Sequence, residues 1–140
     1  MSQPYTLPLG SLAPDFDLKG TDGNRYEFAG VAGSVGTVVM FTCNHCPYVL
    51  GSDANTAALA IRFAENGINF VAINSNSEGT YAEDGFEGMA ERMEREAFPW
   101  PYLHDETQAV ALAYGALRTP HFFLFDADRR LVYTGRAIDN

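Results

Sequence analysis

The chain has 140 residues, of which 46% are hydrophobic, and this size and composition suit one domain, over residues 1–140, with a core of its own. The formal net charge of −9 at pH 7 makes contact with nucleic acid or an anionic membrane surface repulsive, so we expect neither as a partner. No stretch is apolar for long enough to span a bilayer, and the N-terminus lacks the pattern of a secretory signal. These features predict a cytoplasmic protein.

The first half of the chain predicts a hairpin followed by a strand, a helix and another strand. Residues 13–28 alternate apolar and polar side chains on both sides of Asp22-Gly23, a pair that readily adopts a hairpin turn. The apolar run 37–41 predicts a strand buried on both faces, and it leads into a loop with two cysteines. Helical spacing over 47–66 and the apolar run 68–73 then complete a βαβ unit with two parallel strands.

The second half predicts two amphipathic helices and a closing hairpin. The apolar stripe within 86–97 predicts one helix, and Asp105 with Gln108 suits the start of another that runs towards Gly115. Residues 121–125 and 131–134 predict two strands joined by a short polar loop.

The order of these elements predicts an α/β fold with a mixed central sheet, helices on its faces and an N-terminal β-hairpin. The closing helix expected after the last hairpin is absent from the sequence. We therefore expect either further chain or a partner, such as a second copy in a homodimer, over that sheet face.

Both cysteines of the chain, Cys43 and Cys46, lie three positions apart, which leaves a reactive redox pair or half of a metal site. Cys43 is expected at a helix N-terminus, where backbone N–H groups and the helix dipole stabilise a thiolate. Cys46, one helical turn later, can attack a mixed disulfide formed by Cys43 and release the product. His45 between them would stabilise the Cys43 thiolate further, or is simply a solvated histidine of the first turn.

A zinc site is the alternative for the same cysteines. It needs two further ligands, and the candidates are His45, His104, His121 and carboxylates, without a second C-x-x-C motif or a spaced histidine pair. We expect no metal and no organic cofactor.

Three stretches resemble one family. They are the run 40–49 with its C-N-H-C-P-Y-V motif, residues 72–76, and residues 114–126 with Thr-Pro before an aromatic strand. Together with Ala-Pro-Asp-Phe at 13–16, they are similar to the redoxin branch of the thioredoxin-like superfamily, among relatives of the TlpA and AhpC/TSA groups. The resemblance covers nearly the whole chain.

This resemblance implies a thioredoxin-like fold and a thiol-disulfide oxidoreductase. It implies that Cys43 is the nucleophile, that Cys46 is the resolving cysteine, and that Pro120 is a cis-proline facing them. Thr119 would then present backbone groups to an extended substrate segment. From Thr119-Pro120 alone a trans proline at the start of a strand is favoured, since only about 5% of X-Pro bonds in folded proteins are cis.

The expected partners are a disulfide-containing protein or a small thiol substrate, and a redox partner that restores the starting state. Peroxidase activity is the runner-up, because the pattern P-x-x-x-T-x-x-C that is typical of peroxiredoxins is missing: Thr42 adjoins Cys43 and no proline lies upstream in register. Phe41-Thr42 also replaces the tryptophan that precedes the motif in many thioredoxins.

Three further residues have weaker functional interpretations. Trp100 could line a substrate groove, although an aromatic ring packed in a turn is the more common case. Glu65 or Asp105 could be a buried proton acceptor for Cys46, although most carboxylates are solvated. The sequence does not choose between these two carboxylates.

Overall fold

A computed structural model describes residues 7–42, 58, 60–74, 86–96, 100–105, 108–116 and 121–136. This part of the chain forms seven strands: β1 (Asp17–Gly20), β2 (Arg25–Glu27), β3 (Gly36–Thr42), β4 (Ile68–Asn74), β5 (Tyr102–His104), β6 (His121–Asp126) and β7 (Leu131–Arg136). Its helices are α1 (Phe28–Val31), α2, of which residues 58 and 60–64 are described, α3 (Phe86–Glu96) and α4 (Ala109–Tyr114).

The strands form one mixed sheet in the order β2-β1-β5-β4-β3-β6-β7. The three central strands β5, β4 and β3 run parallel, while β6 pairs antiparallel with β3 and β7 pairs antiparallel with β6. The β1–β2 hairpin joins the other side through antiparallel pairing of β1 with β5. The prediction of a mixed sheet with an N-terminal hairpin is confirmed.

Both faces of the central strands β3 and β4 are covered, which explains their continuous apolar runs. One face carries the larger cluster, in which Phe41, Phe123 and Phe125 pack edge-on or tilted around the buried ring of Tyr114 from α4. The opposite face packs Met40 and Phe70 against α2 and α3, with Met89 of α3 fully buried. The helices expected on the two faces are therefore present on both.

The structure adds one strand that the sequence did not predict. β5 has only three residues, and it forms because β4 pairs with it on one side and β1 on the other. The helix expected to start at Asp105 begins instead at Ala109, since Gln108 has a positive φ of 66° that no helical residue adopts. Its predicted end is correct, because Gly115 terminates it with a φ of 66°.

The hairpin turn follows the prediction in detail. Gly23 adopts a φ of +88°, which favours glycine, and the backbone N–H of Asn24 donates to the carboxylate of Asp22 at 3.0 Å. No helix within the described ranges is long and apolar enough to cross a membrane.

Candidate active site

The parallel strands all end at one edge of the sheet, and β6 begins at the same edge. Thr42 at the end of β3 is in register with Asn74 at the end of β4, and Asn74 is in register with His104 at the end of β5. On the other side of β3, Phe41 pairs with His121, the first residue of β6. This strand-end edge therefore collects side chains from four segments that are distant in sequence.

All five residues predicted to form the redox site lie outside the described residues. Cys43, His45 and Cys46 follow Thr42 in the sequence, while Thr119 and Pro120 precede His121. Their roles remain predictions. The described structure supplies the two strand ends to which these two segments are joined in sequence.

The buried imidazole of His121 ties β6 to β7 at this edge. Its Nε2 lies 2.9 Å from the hydroxyl of Thr134, and that hydroxyl donates to the backbone carbonyl of Phe122 at 3.0 Å. Because a threonine hydroxyl has a single proton, Nε2 of His121 must be the donor in the first contact. The ring also stacks on Phe123, with 4.4 Å between ring centroids and 22° between planes.

A second group of buried polar residues lies under the ends of β4 and β5. The fully buried side chain of Asn74 donates from Nδ2 to the hydroxyl of Tyr102 at 3.3 Å. The backbone N–H of Asp105 donates to the carbonyl of Asn74 at 2.9 Å. The carboxylate of Asp105 accepts the backbone N–H of Ala111 at 2.9 Å, so it satisfies a free donor in the first turn of α4.

Burial separates the two carboxylates that the sequence left as candidates. Asp105 is 1% exposed, whereas Glu65 lies exposed after the end of α2. Of the two, only Asp105 meets the requirement of a buried group, and its carboxylate already accepts one backbone hydrogen bond. Trp100 is 5% exposed and stacks on Phe70 with 6.3 Å between ring centroids, so it belongs to the core.

The two described histidines proposed as extra zinc ligands do not converge, while His45 lies outside the described residues. His104 and His121 lie on strands separated by β4 and β3, about 14 Å apart across the sheet. Strand alternation places His104 on the same face as Tyr102, while His121 stacks on Phe123 of the opposite face. Within the described ranges, no group of three or more His, Cys, Asp or Glu side chains could hold a metal ion.

Asn74 and Thr134 contribute to this edge, and neither was predicted from the sequence to do so. Asn74 follows a buried strand, and a polar residue at the carboxyl end of a parallel strand is a usable signal for a site edge. Thr134 carries no such signal, because its role depends on the register between β6 and β7. That register includes an irregularity at Leu124/Phe125 that the sequence does not predict.

The sequence of this chain also matches a known protein family. The sequence model of the Redoxin family matches residues 8–140. A crystal structure of an uncharacterized conserved protein from Geobacillus kaustophilus is 45% identical, with a TM-score of 0.91, over 95% of this chain and 71% of the other. A hypothetical protein from Sinorhizobium meliloti is 38% identical, with a TM-score of 0.91, over 97% of this chain and 74% of the other.

A more distant structure shares the fold. It is a putative thiol:disulfide interchange protein DsbE from Chlorobium tepidum, 20% identical, with a TM-score of 0.80, over 94% of this chain and 86% of the other. This likeness confirms the prediction of a thioredoxin-like fold. No curated protein matches the sequence significantly.

Proposed function

The chain belongs to the Redoxin family, and from this premise we propose that it is a thiol-disulfide oxidoreductase that works through Cys43 and Cys46. Family membership supports a thiol redox role. The proposal adds the identity of the two thiols, their order of action and the exchange of dithiol for disulfide with a disulfide-containing protein or a small thiol.

One structural observation carries the proposal. Phe41 of β3 pairs with His121 of β6 at the strand-end edge. In the sequence, Cys43 is two residues after Phe41, and Pro120 directly precedes His121. The pairing supports a site in which the cysteine segment and the Thr119-Pro120 segment start from neighbouring strands.

The proposed reaction consists of two exchanges. The Cys43 thiolate attacks one sulfur of a substrate disulfide, forms a mixed disulfide and expels the other sulfur as a thiolate. The Cys46 thiolate then attacks the sulfur of Cys43, and the second substrate thiolate leaves as the Cys43–Cys46 disulfide closes. The protein loses two electrons and two protons, which the substrate disulfide gains. An external dithiol must reverse the change before the next cycle.

Three neighbours have supporting roles in this proposal. His45 stabilises the Cys43 thiolate, which favours attack at neutral pH. Thr119 offers backbone groups to an extended substrate segment, and Pro120 faces the sulfur pair. The role of His45 follows from its position between the two cysteines, and the roles of Thr119 and Pro120 follow from the family resemblance.

The test is the trapping of the intermediate. A Cys46→Ser variant incubated with oxidised glutathione should accumulate one glutathione on Cys43, since the resolving thiol is missing. The matched Cys43→Ser variant should form far less adduct under the same conditions, because its remaining thiol lacks activation. Intact-protein and peptide mass spectrometry measure both.

Equal, slow labelling of the two variants would contradict the proposed order of action. Peroxide consumption by the Cys46→Ser variant with added thiol, at the rate of the unaltered protein, would favour a peroxidase instead. Stoichiometric zinc in protein purified without chelator, with both thiols masked, would favour a metal-binding module.

A further inference from the structure

A groove lies between α3 and the β1–β2 hairpin, and nothing in the proposed redox chemistry uses it. Its volume is about 430 Å³. The lining comes from the hairpin turn, from α3 and from the start of β5 at Pro101 and Tyr102. Since His104 marks the other end of β5 at the strand-end edge, the groove opens at the opposite end of that strand.

The walls of the groove are largely apolar, and contacts with neighbouring residues hold the ring of Tyr26 in place. The ring of Tyr26 lies so close to Gly20 that a Cβ atom on this glycine would come within 2.6 Å of the ring. The hydroxyl of Tyr26 donates to the carboxylate of Asp22, which fixes the ring at the hairpin end. Half-buried Met93 and Pro101 and buried Tyr102 complete these walls.

The rim of the groove is acidic. Of the ten described residues that line it, Asp22, Glu91 and Glu94 carry negative charge and none is basic. The hydroxyl of Tyr26 lowers the pKa of Asp22, so this carboxylate is ionised at neutral pH. Glu91 and Glu94 lie exposed, three residues apart and thus on one side of α3.

We propose that this groove binds an arginine side chain carried by a basic, extended segment of a partner protein. The apolar stem of arginine fits beside Met93 and Pro101, while the planar guanidinium can stack on Tyr26 and reach the rim carboxylates. The net charge of −9 attracts a basic partner from a distance.

A protein segment is the better occupant than a free amine for an energetic reason. Each exposed ion pair contributes little to binding because water and salt screen it, so one side chain held by Glu91 and Glu94 would dissociate readily. A chain that adds backbone contacts and further basic residues along the acidic surface gains the affinity that a single cation lacks.

The probe is a fluorescein-labelled peptide of arginine, leucine and glycine, and its binding to the full chain is measured by fluorescence anisotropy. We expect the Glu91→Gln/Glu94→Gln variant to raise the Kd about three- to tenfold, in line with two lost exposed charge pairs. The control variant Glu27→Gln/Asp128→Asn also removes two exposed carboxylates, but outside the groove, and should leave the Kd within about twofold.

Two further measurements separate the groove from general charge attraction. Ala90→Trp fills the groove without changing any charge and should abolish binding, with circular dichroism showing that the variant is folded. The same peptide with citrulline in place of arginine should not bind.

Four results would overturn the proposal. They are the absence of peptide binding up to about 1 mM, an equal loss in both charge variants, unchanged binding in folded Ala90→Trp, and tighter binding of arginine amide than of the peptide. None of these results bears on Cys43 or Cys46, so the redox proposal is tested separately.

Discussion

The strand-end edge and the β1–β2 hairpin both hold polar side chains together, but in opposite surroundings. At the edge, Asn74, Asp105 and His121 are at most 6% exposed. On the hairpin, Arg25 and Asp17 form an ion pair at 2.8 Å whose side chains are about 60% exposed. The hairpin contact has the shorter distance and two full charges, yet water can replace it at little cost.

We expect burial, more than distance or charge, to decide what each polar contact contributes to stability. A buried donor or acceptor that loses a partner cannot replace it with water, because water cannot reach it. The edge is therefore expected to be rigid and sensitive to substitution, and the hairpin tolerant. Rigidity at the edge suits a site that must hold two chain segments in a fixed relation.

The largest expected effect is at Asp105. Asp105→Ala should lower the free energy of unfolding by about 3 kcal/mol, because it leaves the N–H of Ala111 without its acceptor and opens space among buried groups. Asp105→Asn keeps an acceptor oxygen and should recover about half of the loss. Urea unfolding measures both, with exposed Glu65→Ala as the control that should change stability by less than about 0.5 kcal/mol.

The next effect is at Thr134. Thr134→Val keeps the shape but removes the hydroxyl between His121 and the carbonyl of Phe122, at an expected cost of about 2 kcal/mol. Thr134→Ser retains the hydroxyl and should cost less than half as much. If urea unfolding gave the same stability for Thr134→Val and Thr134→Ser, the two hydrogen bonds of the Thr134 hydroxyl would not stabilise the edge.

A small effect is expected for the exposed ion pair of the hairpin. Arg25→Ala should reduce stability by less than about 1 kcal/mol, and the difference from the unaltered protein should shrink as salt is raised. A loss as large as that of Thr134→Val, undiminished in 1 M salt, would remove the contrast between the two regions.

The smallest effect is a change in pH dependence. The hydrogen bond from Tyr26 lowers the pKa of Asp22, and the same contact raises the pKa of Tyr26. The contribution of Asp22 to stability is therefore present above about pH 4 and lost as the pH falls through its folded pKa. The contribution of Tyr26 is present below about pH 10 and lost as the pH rises through its folded pKa.

Tyr26→Phe should flatten both limbs of the curve of unfolding free energy against pH. Tyr133→Phe, at an exposed tyrosine on β7, is the matched control and should leave both limbs unchanged. Parallel curves for the unaltered protein and Tyr26→Phe would show that the Asp22 contact is absent in solution.

Much of the fold could be predicted because long apolar runs indicate buried strands and turn residues indicate where the chain reverses. The runs that became β3 and β4 and the Asp22-Gly23 turn are examples. β5 could not be predicted, since three residues between prolines and a polar loop carry no periodic signal, and the strand exists only through pairing with β1 and β4. The left-handed backbone of Gln108, which shortens α4, likewise could not be predicted from the sequence.

The candidate site divides in the same way. The C-x-x-C pair could be proposed from the sequence because reactive chemistry depends on residue type and spacing, and the Thr119-Pro120 segment could be proposed only from the family resemblance. Both remain predictions. The buried contacts at the strand-end edge could not be predicted, because the contact of His121 with Thr134 depends on strand register. Asp105 was expected at the start of α4, and it does accept a backbone hydrogen bond there, although the helix begins four residues later than expected.

The most direct test of the proposed redox pair is a redox titration of the Cys43–Cys46 couple. The protein is equilibrated at a series of ratios of reduced to oxidised glutathione, quenched with acid and alkylated. Mass spectrometry then measures the mass of each species. Both thiols should disappear together into one intramolecular disulfide, with a two-electron slope of about 30 mV per tenfold change. Thiols that remain free at every ratio, or that only take up glutathione separately, would contradict the proposed redox pair.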